Sequence, residues 1–227
     1  MVYEHLSLPF LKIYLEKTKA FDVTGESFQP TGKIVDRILL KTGDVINRYN
    51  NETLQLQGNS QDLKDCLNHL DQELKKFKEN PPKIFIAYAF KNRENKDRVQ
   101  KLLKNWGFDV LVMEDHPENG LHLTEKLEAT IYNAEYGIVL FSKDEKLAEN
   151  GKFIPRSNVM IELGMLMATL KEQEKRFSIL NYAPEDILIP SDILGLTYTL
   201  VEGLDDHTFE DELMNEVYHL YEKCLDI

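Results

Sequence analysis

Apolar positions follow two regimes along the chain, divided at Pro81-Pro82. Before the division they recur at three- and four-residue spacing, the period of a helix with one buried face. Phe10, Leu11, Tyr14 and Leu15 form a first stripe, and Ile34, Ile38, Leu39 and Ile46 form a second after Pro30. Leu63, Cys66, Leu67, Leu70, Leu74 and Phe77 form a third, with Lys and Asp opposite. Gly25, Gly58-Asn59 and Pro81-Pro82 supply the breaks. The pattern predicts a small helical segment over residues 1–80. Three short helices bury little alone, so the segment is expected to pack on the following domain or on another subunit.

From Lys83 the pattern changes. Ile84–Phe90 (IFIAYAF) is a continuous apolar run, as in a strand covered on both faces of a parallel sheet. A polar stretch with Val99, Leu102, Leu103 and Trp106 as its buried stripe follows and closes at Gly107. Strands are then predicted at Asp109–Met113, Tyr136–Phe141, Phe177–Leu180 and Thr197–Val201. Helices are predicted at Leu123–Ala134, Asn158–Leu170 and Asp206–Leu225. This alternation implies right-handed crossovers and an α/β domain over residues 83–227, with a five-stranded parallel sheet in the flavodoxin-like order 2-1-3-4-5. In such sheets the ligand crevice lies beyond the carboxyl ends of the strands at the switch point, which singles out the residues after Phe90, Met113 and Phe141.

Composition narrows the function. A hydrophobic content of 42% over 227 residues supports one good core plus an accessory unit. The formal net charge is −12, nearly all of it beyond Asn80, which argues against general or direct nucleic-acid binding. A small anionic ligand remains compatible, because backbone N–H groups and one Arg hold a pyrophosphate locally. Cys66 and Cys224 are the only cysteines and have no metal-like spacing, so a reducing compartment without a structural disulfide is expected. The first residues carry Glu4, His5, Lys12 and Glu16, which do not suit a signal peptide, and no stretch approaches a membrane span. A cytoplasmic protein with no membrane association is the expectation.

One acid stands out. Glu162 is the only charged residue in Val159–Leu170 (VMIELGMLMATL). A carboxylate in such a run faces a cleft, finds a partner or is protonated, unless it simply complements the dipole near the helix start. Gly164, two residues on, would permit close packing or ligand approach. Upstream, Pro155 suits a helix start and Ser157 or Asn158 its cap, while Arg156 is a cation where anions are already favoured. Arg156 equally suits an ion pair with a surface carboxylate. Asp115 and His116, in the loop Glu114–His122, border the predicted crevice and are candidates for ligand contact, with a merely solvated loop as the alternative. Pro30-Thr31-Gly32-Lys33-Ile34 hints at a phosphate loop, but its first Gly is misplaced and Ile34 replaces the required Ser or Thr. The His residues are scattered, so no metal site is expected.

Several ordered stretches resemble the bacterial TIR-like family of predicted nucleotide-binding proteins. Lys83–Phe90 (KIFIAYAF) is similar to the opening strand of TIR domains. Glu118-Asn119-Gly120 and Thr124–Glu128 resemble the family's loop and second helix, and Gly137–Asp144 (GIVLFSKD) its third strand. Arg156–Gly164 (RSNVMIELG) resembles its most specific block, an Arg-x-Asn-Val-x-x-Glu-Leu-Gly pattern, and Ile189–Gly195 its late loop. The resemblance spans about residues 83 to 204 and leaves the first 80 untouched.

The resemblance implies a TIR-type NAD nucleosidase in bacterial antiviral defence, with NAD as substrate and no separate cofactor. It places on Glu162 the role of the Glu implicated in cleaving NAD. Ala87, Tyr88, Phe90, Asp115, Ser142, Arg156 and Asn158 are the residues then expected to bind substrate. Arg156 and backbone amides after the first strand would hold the pyrophosphate, and Tyr88 and Phe90 would stack on an aromatic ring. Some family members carry His-Gly where this chain has Tyr88-Ala89, and loss of that Gly narrows the crevice. Homo-oligomerisation on activation and a sensor partner are expected, with residues 1–80 as a regulatory or oligomerisation segment. The rival readings are a nucleoside deoxyribosyltransferase-like enzyme and a non-catalytic TIR assembly module.

Overall fold

Where the apolar spacing predicts a helical segment, the structure has a five-stranded antiparallel sheet and two helices, one between its first two strands and one after its last. The computed structural model describes residues 1–19, 21–27, 33–113, 123–147, 151–172, 176–189 and 196–225. Two units divide the chain, Met1–Asn80 with Leu213–Ile227 and Pro81–Glu212.

In the first unit, β1 (Val2–Tyr3), α1 (Leu8–Thr18), β2 (Val23–Ser27), β3 (Ile34–Leu40), β4 (Val45–Tyr49), β5 (Leu54–Gln57) and α2 (Gln61–Phe77) follow in order. The sheet runs β1-β5-β4-β3-β2, every pair antiparallel. The first and third expected helices form. Phe10, Leu11 and Leu15 are buried on α1, and Leu63, Leu67, Leu70 and Leu74 on α2, whose first turn is capped by Ser60 Oγ accepting from Leu63 N at 3.3 Å.

The second expected helix is a hairpin. A spacing of four residues, as between Ile34 and Ile38, satisfies a strand's period of two as well as a helical turn. Leu39 distinguishes the two. A helix stripe would bury it beside Ile38, but it is 37% exposed, while Ile38, Leu40 and Ile46 are buried. The β-branched runs IVDRILL and VINRY favour strands. Gly43, at φ +85°, supplies the left-handed residue of the turn between them.

The expected domain of residues 83–227 also ends earlier. Leu213–Ile227 group with the first unit. There Tyr218 stacks on Phe10 at 5.5 Å and Tyr221 on Phe77 at 4.6 Å, which ties the C-terminal turns to aromatic residues of α1 and α2.

The second unit contains β6 (Lys83–Ala87), a 3-10 turn (Phe90–Asn92), α3 (Arg93–Asn105), β7 (Asp109–Leu111), α4 (Leu123–Tyr132) and β8 (Tyr136–Phe141). A two-stranded ribbon of β9 (Glu145–Lys146) and β10 (Phe153–Ile154) follows, then α5 (Ser157–Glu172), β11 (Arg176–Asn181), β12 (Thr199–Leu200) and the start of α6 (Asp206–Cys224). Its sheet runs β12-β11-β8-β6-β7, all parallel. Counted within the unit this is the order 2-1-3-4-5, an α/β flavodoxin-like sheet as the alternation predicted.

One face of that sheet contributes Phe85, Ala87, Val139, Phe141 and Ile179 to a core completed by Leu127 and Ile131 of α4 and by Val159, Leu163, Leu166 and Leu170 of α5. Gly137 sets the spacing of β8 and α5. A methyl group there would meet Leu166 Cδ2 at 2.8 Å. No described helix is long and apolar enough to cross a membrane.

Candidate functional site

The carboxyl end of β6 and the N-terminal turns of α5 border one cavity of about 170 Å³. Around the end of β6 the chain contributes Ile86, Tyr88, Ala89 and Phe90, of which Ala89 also packs in the core. Met113 adds a wall from beyond β7. From α5 and the residue preceding it come Arg156, Asn158 and Glu162. The cavity thus lies beside β6, the strand at which the sheet order reverses, where ligand crevices form in open α/β sheets.

Helical periodicity explains how α5 serves both the core and the cavity. Val159, Leu163, Leu166 and Leu170 form its buried stripe, which leaves Asn158 and Glu162, four residues apart, to share another face. Glu162 stands in the second turn, past the region where the helix dipole acts most strongly. Among the described residues its carboxylate has neither a hydrogen bond nor an ion pair. Burial raises its pKa from 4.5 to about 7, so the group titrates near neutrality. The Arg156 guanidinium is exposed and has no ion-pair partner among the described residues, so the alternative of a surface salt bridge does not hold within them.

The two aromatic rings each carry a cation nearby. Lys96 Nζ lies 5.3 Å from the centre of the Tyr88 ring, and the Arg93 guanidinium lies 5.9 Å from that of Phe90. Lys96 is only 5% exposed and is held by Asp97 at 2.6 Å and Gln100 at 3.2 Å. Phe90 is 62% exposed, an apolar ring presented to solvent at the mouth of the cavity.

Five of the eight expected site residues therefore converge: Tyr88, Phe90, Arg156, Asn158 and Glu162. Two do not. Ala87 is fully buried in the core beneath α4 and α5, because alternation along β6 turns Phe85 and Ala87 to that layer. Ser142 does not line the cavity, and its hydroxyl donates to Asp144 Oδ1 at 2.7 Å. Asp115 lies outside the described residues, as does His116. Ile86, Ala89 and Met113 were not among the expected residues. The switch-point rule did mark the positions following Phe90 and Met113, but nothing in the pattern told which side chains turn to the cavity. Ala89, where some TIR-like proteins carry Gly, is on the cavity wall. Gly164 has no packing role, since a methyl group there meets nothing within 4 Å. Among the described residues no group of three or more His, Cys, Asp or Glu is placed to hold a metal ion.

A 2-1-3-4-5 parallel sheet with this cavity at the switch point, formed by the loop after the first strand and the block Arg156–Gly164, is the arrangement of a flavodoxin-like α/β domain. Residues 83–203 match the family model described as "CAP12/Pycsar effector protein, TIR domain", and the chain belongs to that family. The protein tirC of Dictyostelium discoideum is 30% identical over 145 residues, which cover 60% of this chain and 69% of tirC. The uncharacterized protein YuaY of Escherichia coli K12 is 29% identical over 144 residues, covering 62% of this chain and 46% of YuaY. Among solved structures, the TIR domain of the Toll-related receptor TRR-2 from Hydra magnipapillata aligns at a TM-score of 0.39 with 18% identity, over 62% of this chain and 96% of that domain.

Proposed function

We propose that this TIR domain is an NAD nucleosidase, cleaving the nicotinamide–ribose bond to give nicotinamide and ADP-ribose or a cyclic ADP-ribose. The observation that carries the reading is the half-buried carboxylate of Glu162, unpaired among the described residues, in a cavity shared with Arg156, Asn158 and two aromatic rings. Membership of the family supports it, since the resemblance places on Glu162 the Glu implicated in NAD cleavage.

The chemistry suits these groups. Nicotinamide departs with the bonding electron pair and leaves neutral, while positive charge develops on the ribose carbon and ring oxygen. The Glu162 carboxylate stabilises that oxocarbenium-like state and accepts hydrogen bonds from ribose hydroxyls. Water then attacks the same carbon and loses a proton, or a nucleophile of the substrate's own adenine closes the cyclic product. Arg156 binds the pyrophosphate through charge-assisted hydrogen bonds. Tyr88 and Phe90 offer faces to an aromatic ring. At about 170 Å³ the cavity is smaller than the ~300–1,000 Å³ of sites that enclose a whole drug-sized ligand. It takes the nicotinamide–ribose end, and the remainder of the dinucleotide passes over Arg156.

In this reading the activity serves antiviral defence in the cytoplasm, and the unit containing residues 1–80 regulates it through a sensor partner or through self-association. The test is nicotinamide release from NAD by the purified full chain at low and high protein concentration, beside Glu162→Gln. Wild-type release that rises faster than linearly with concentration, and its loss in the variant, is the expected result. Equal release by both proteins would remove Glu162 from the chemistry. No release by the wild type, with cleavage of deoxynucleosides instead, would favour a deoxyribosyltransferase-like enzyme.

A further inference from the structure

Asp144 does not line the cavity, yet its oxygens hold the segments that build it. The residue is 7% exposed. Its Oδ1 accepts the Ser142 hydroxyl at 2.7 Å, and its Oδ2 accepts the backbone N–H of Arg156 at 3.0 Å. Its backbone carbonyl accepts from the Lys91 ammonium at 3.1 Å. These donors come from three separate stretches: Ser142 just past β8, Lys91 in the 3-10 turn beyond β6, and Arg156 directly before α5. Each stretch matters to the cavity or to its support. Lys91 adjoins Phe90, and Arg156 leads into Asn158 and Glu162.

The bond to Arg156 is the decisive one. The Arg156 carbonyl accepts from Met160 N at 3.2 Å, so Arg156 already participates in the first turn of α5. Its own N–H points out of the helix and needs an acceptor elsewhere, which Asp144 provides. The start of the helix is thereby tied to the end of β8, and a rotation or shift of that turn would move Arg156, Asn158 and Glu162 together.

We propose that Asp144 is the positioning residue of this site, whose carboxylate fixes the start of α5 so that the Arg156 guanidinium and the Glu162 carboxylate address one cavity. The inference rests on the nucleosidase reading only for the reaction that this geometry assists. Its requirement is for a short side chain with one atom that accepts the Arg156 N–H and a second that hydrogen-bonds the Ser142 hydroxyl. Asparagine meets the requirement if its carbonyl takes the Arg156 N–H and Ser142 rotates its hydroxyl to accept from the amide. Alanine meets neither part.

The test combines amide hydrogen exchange over residues 155–163 with NAD turnover, both on the full chain. In Asp144→Ala, exchange at the start of α5 is expected to quicken by about tenfold or more while β8 keeps its protection. Turnover falls by about tenfold or more, as for other sub-ångström to ångström displacements of catalytic groups. Asp144→Asn is expected to restore both to within about threefold of wild type, since it keeps both hydrogen bonds. Asp144→Ala with wild-type exchange and turnover would overturn the proposal. So would Asp144→Asn as impaired as Asp144→Ala, because charge rather than hydrogen-bond geometry would then be at work. Should Asp144→Ala not fold, Ser142→Ala decides with Asp144→Asn. It removes the hydroxyl that orients the carboxylate, and it is expected to quicken exchange at Arg156 and lower turnover by about two- to fivefold. Wild-type values in Ser142→Ala would then sink the proposal. If the wild-type chain releases no nicotinamide, the nucleosidase reading fails, and the exchange results still decide the role of Asp144.

Discussion

In the antiparallel unit, buried acids have their partners in place. Asp36, 1% exposed, lies 3.2 Å from Arg48 Nη1, and the same guanidinium reaches Glu52 at 2.9 Å through Nη2. Asp44 accepts from the Thr42 hydroxyl and from Ser60 N, which hold its carboxyl below the usual range. In the parallel unit Asp144 follows the same rule, with both carboxylate oxygens occupied. Glu162 departs from it. Its carboxylate has no partner among the described residues, and burial drives its pKa up rather than down. Acids that hold the fold together find a partner within the fold. An acid reserved for a ligand has to wait for one, at some cost in stability.

Removing Arg48 should produce the largest change in stability. Arg48→Ala takes the guanidinium from a buried acid, and a loss of about 3–5 kcal/mol is expected in urea unfolding. A loss below about 1 kcal/mol would show that the Asp36–Arg48 pair is not structural and would dissolve the contrast.

Glu162→Gln should do the reverse. Turnover is expected to fall by about 10²-fold or more, since the charge that stabilises an oxocarbenium-like state is gone. Thermal stability at neutral pH should hold or rise. A variant that cleaves NAD normally but melts well below wild type would make Glu162 a structural acid.

Arg156→Ala is expected to weaken NAD binding by about 1.5–3 kcal/mol, the worth of a hydrogen bond to a charged group. Calorimetric titration at fixed ionic strength measures it. Unchanged affinity would release Arg156 from the pyrophosphate.

The smallest effect is a pH dependence. The folded pKa of Glu162 is about 7 against 4.5 for the ordinary group. Between those values the folded chain retains a proton that the unfolded chain has lost, so stability falls as pH rises through this range. Gln does not titrate. The stability advantage of Glu162→Gln over wild type should therefore be near zero at pH 4.5 and grow to on the order of 1–3 kcal/mol by pH 8. Paired unfolding curves at the two pH values provide the check, and a constant difference would mean that Glu162 is not held in a desolvated site.

The parallel unit was legible because its signals do not overlap. Ile84–Phe90 and Tyr136–Phe141 are too continuously apolar for a surface helix and too short for a buried one, and the polar helices between them leave few topologies. Glu162 was legible for a related reason, as a lone charge in an apolar run. The first 80 residues were misread because four-residue spacing belongs to both periods. The choice between them depends on which neighbours cover Ile38 and Ile46 and leave Leu39 outside, and that is a property of the assembled sheet.

The resemblance to TIR-like proteins marked Arg156, Tyr88 and Phe90 as binding residues. Chain pattern alone determined the order of the parallel sheet, the end of it that carries the cavity, and the acid that stands there. Those features follow from period, length and the cost of burying charge, all of which act locally along the chain. Tertiary structure decided that Ala87 turns into the core while its neighbours Ile86 and Tyr88 line the cavity, that Ser142 serves Asp144 rather than the cavity, and that the last turns of the C-terminal helix join the antiparallel unit. Each of these depends on what stands opposite a residue in space, and residues as distant in sequence as Asp144 and Arg156, or Phe77 and Tyr221, meet only once the strands and helices have packed.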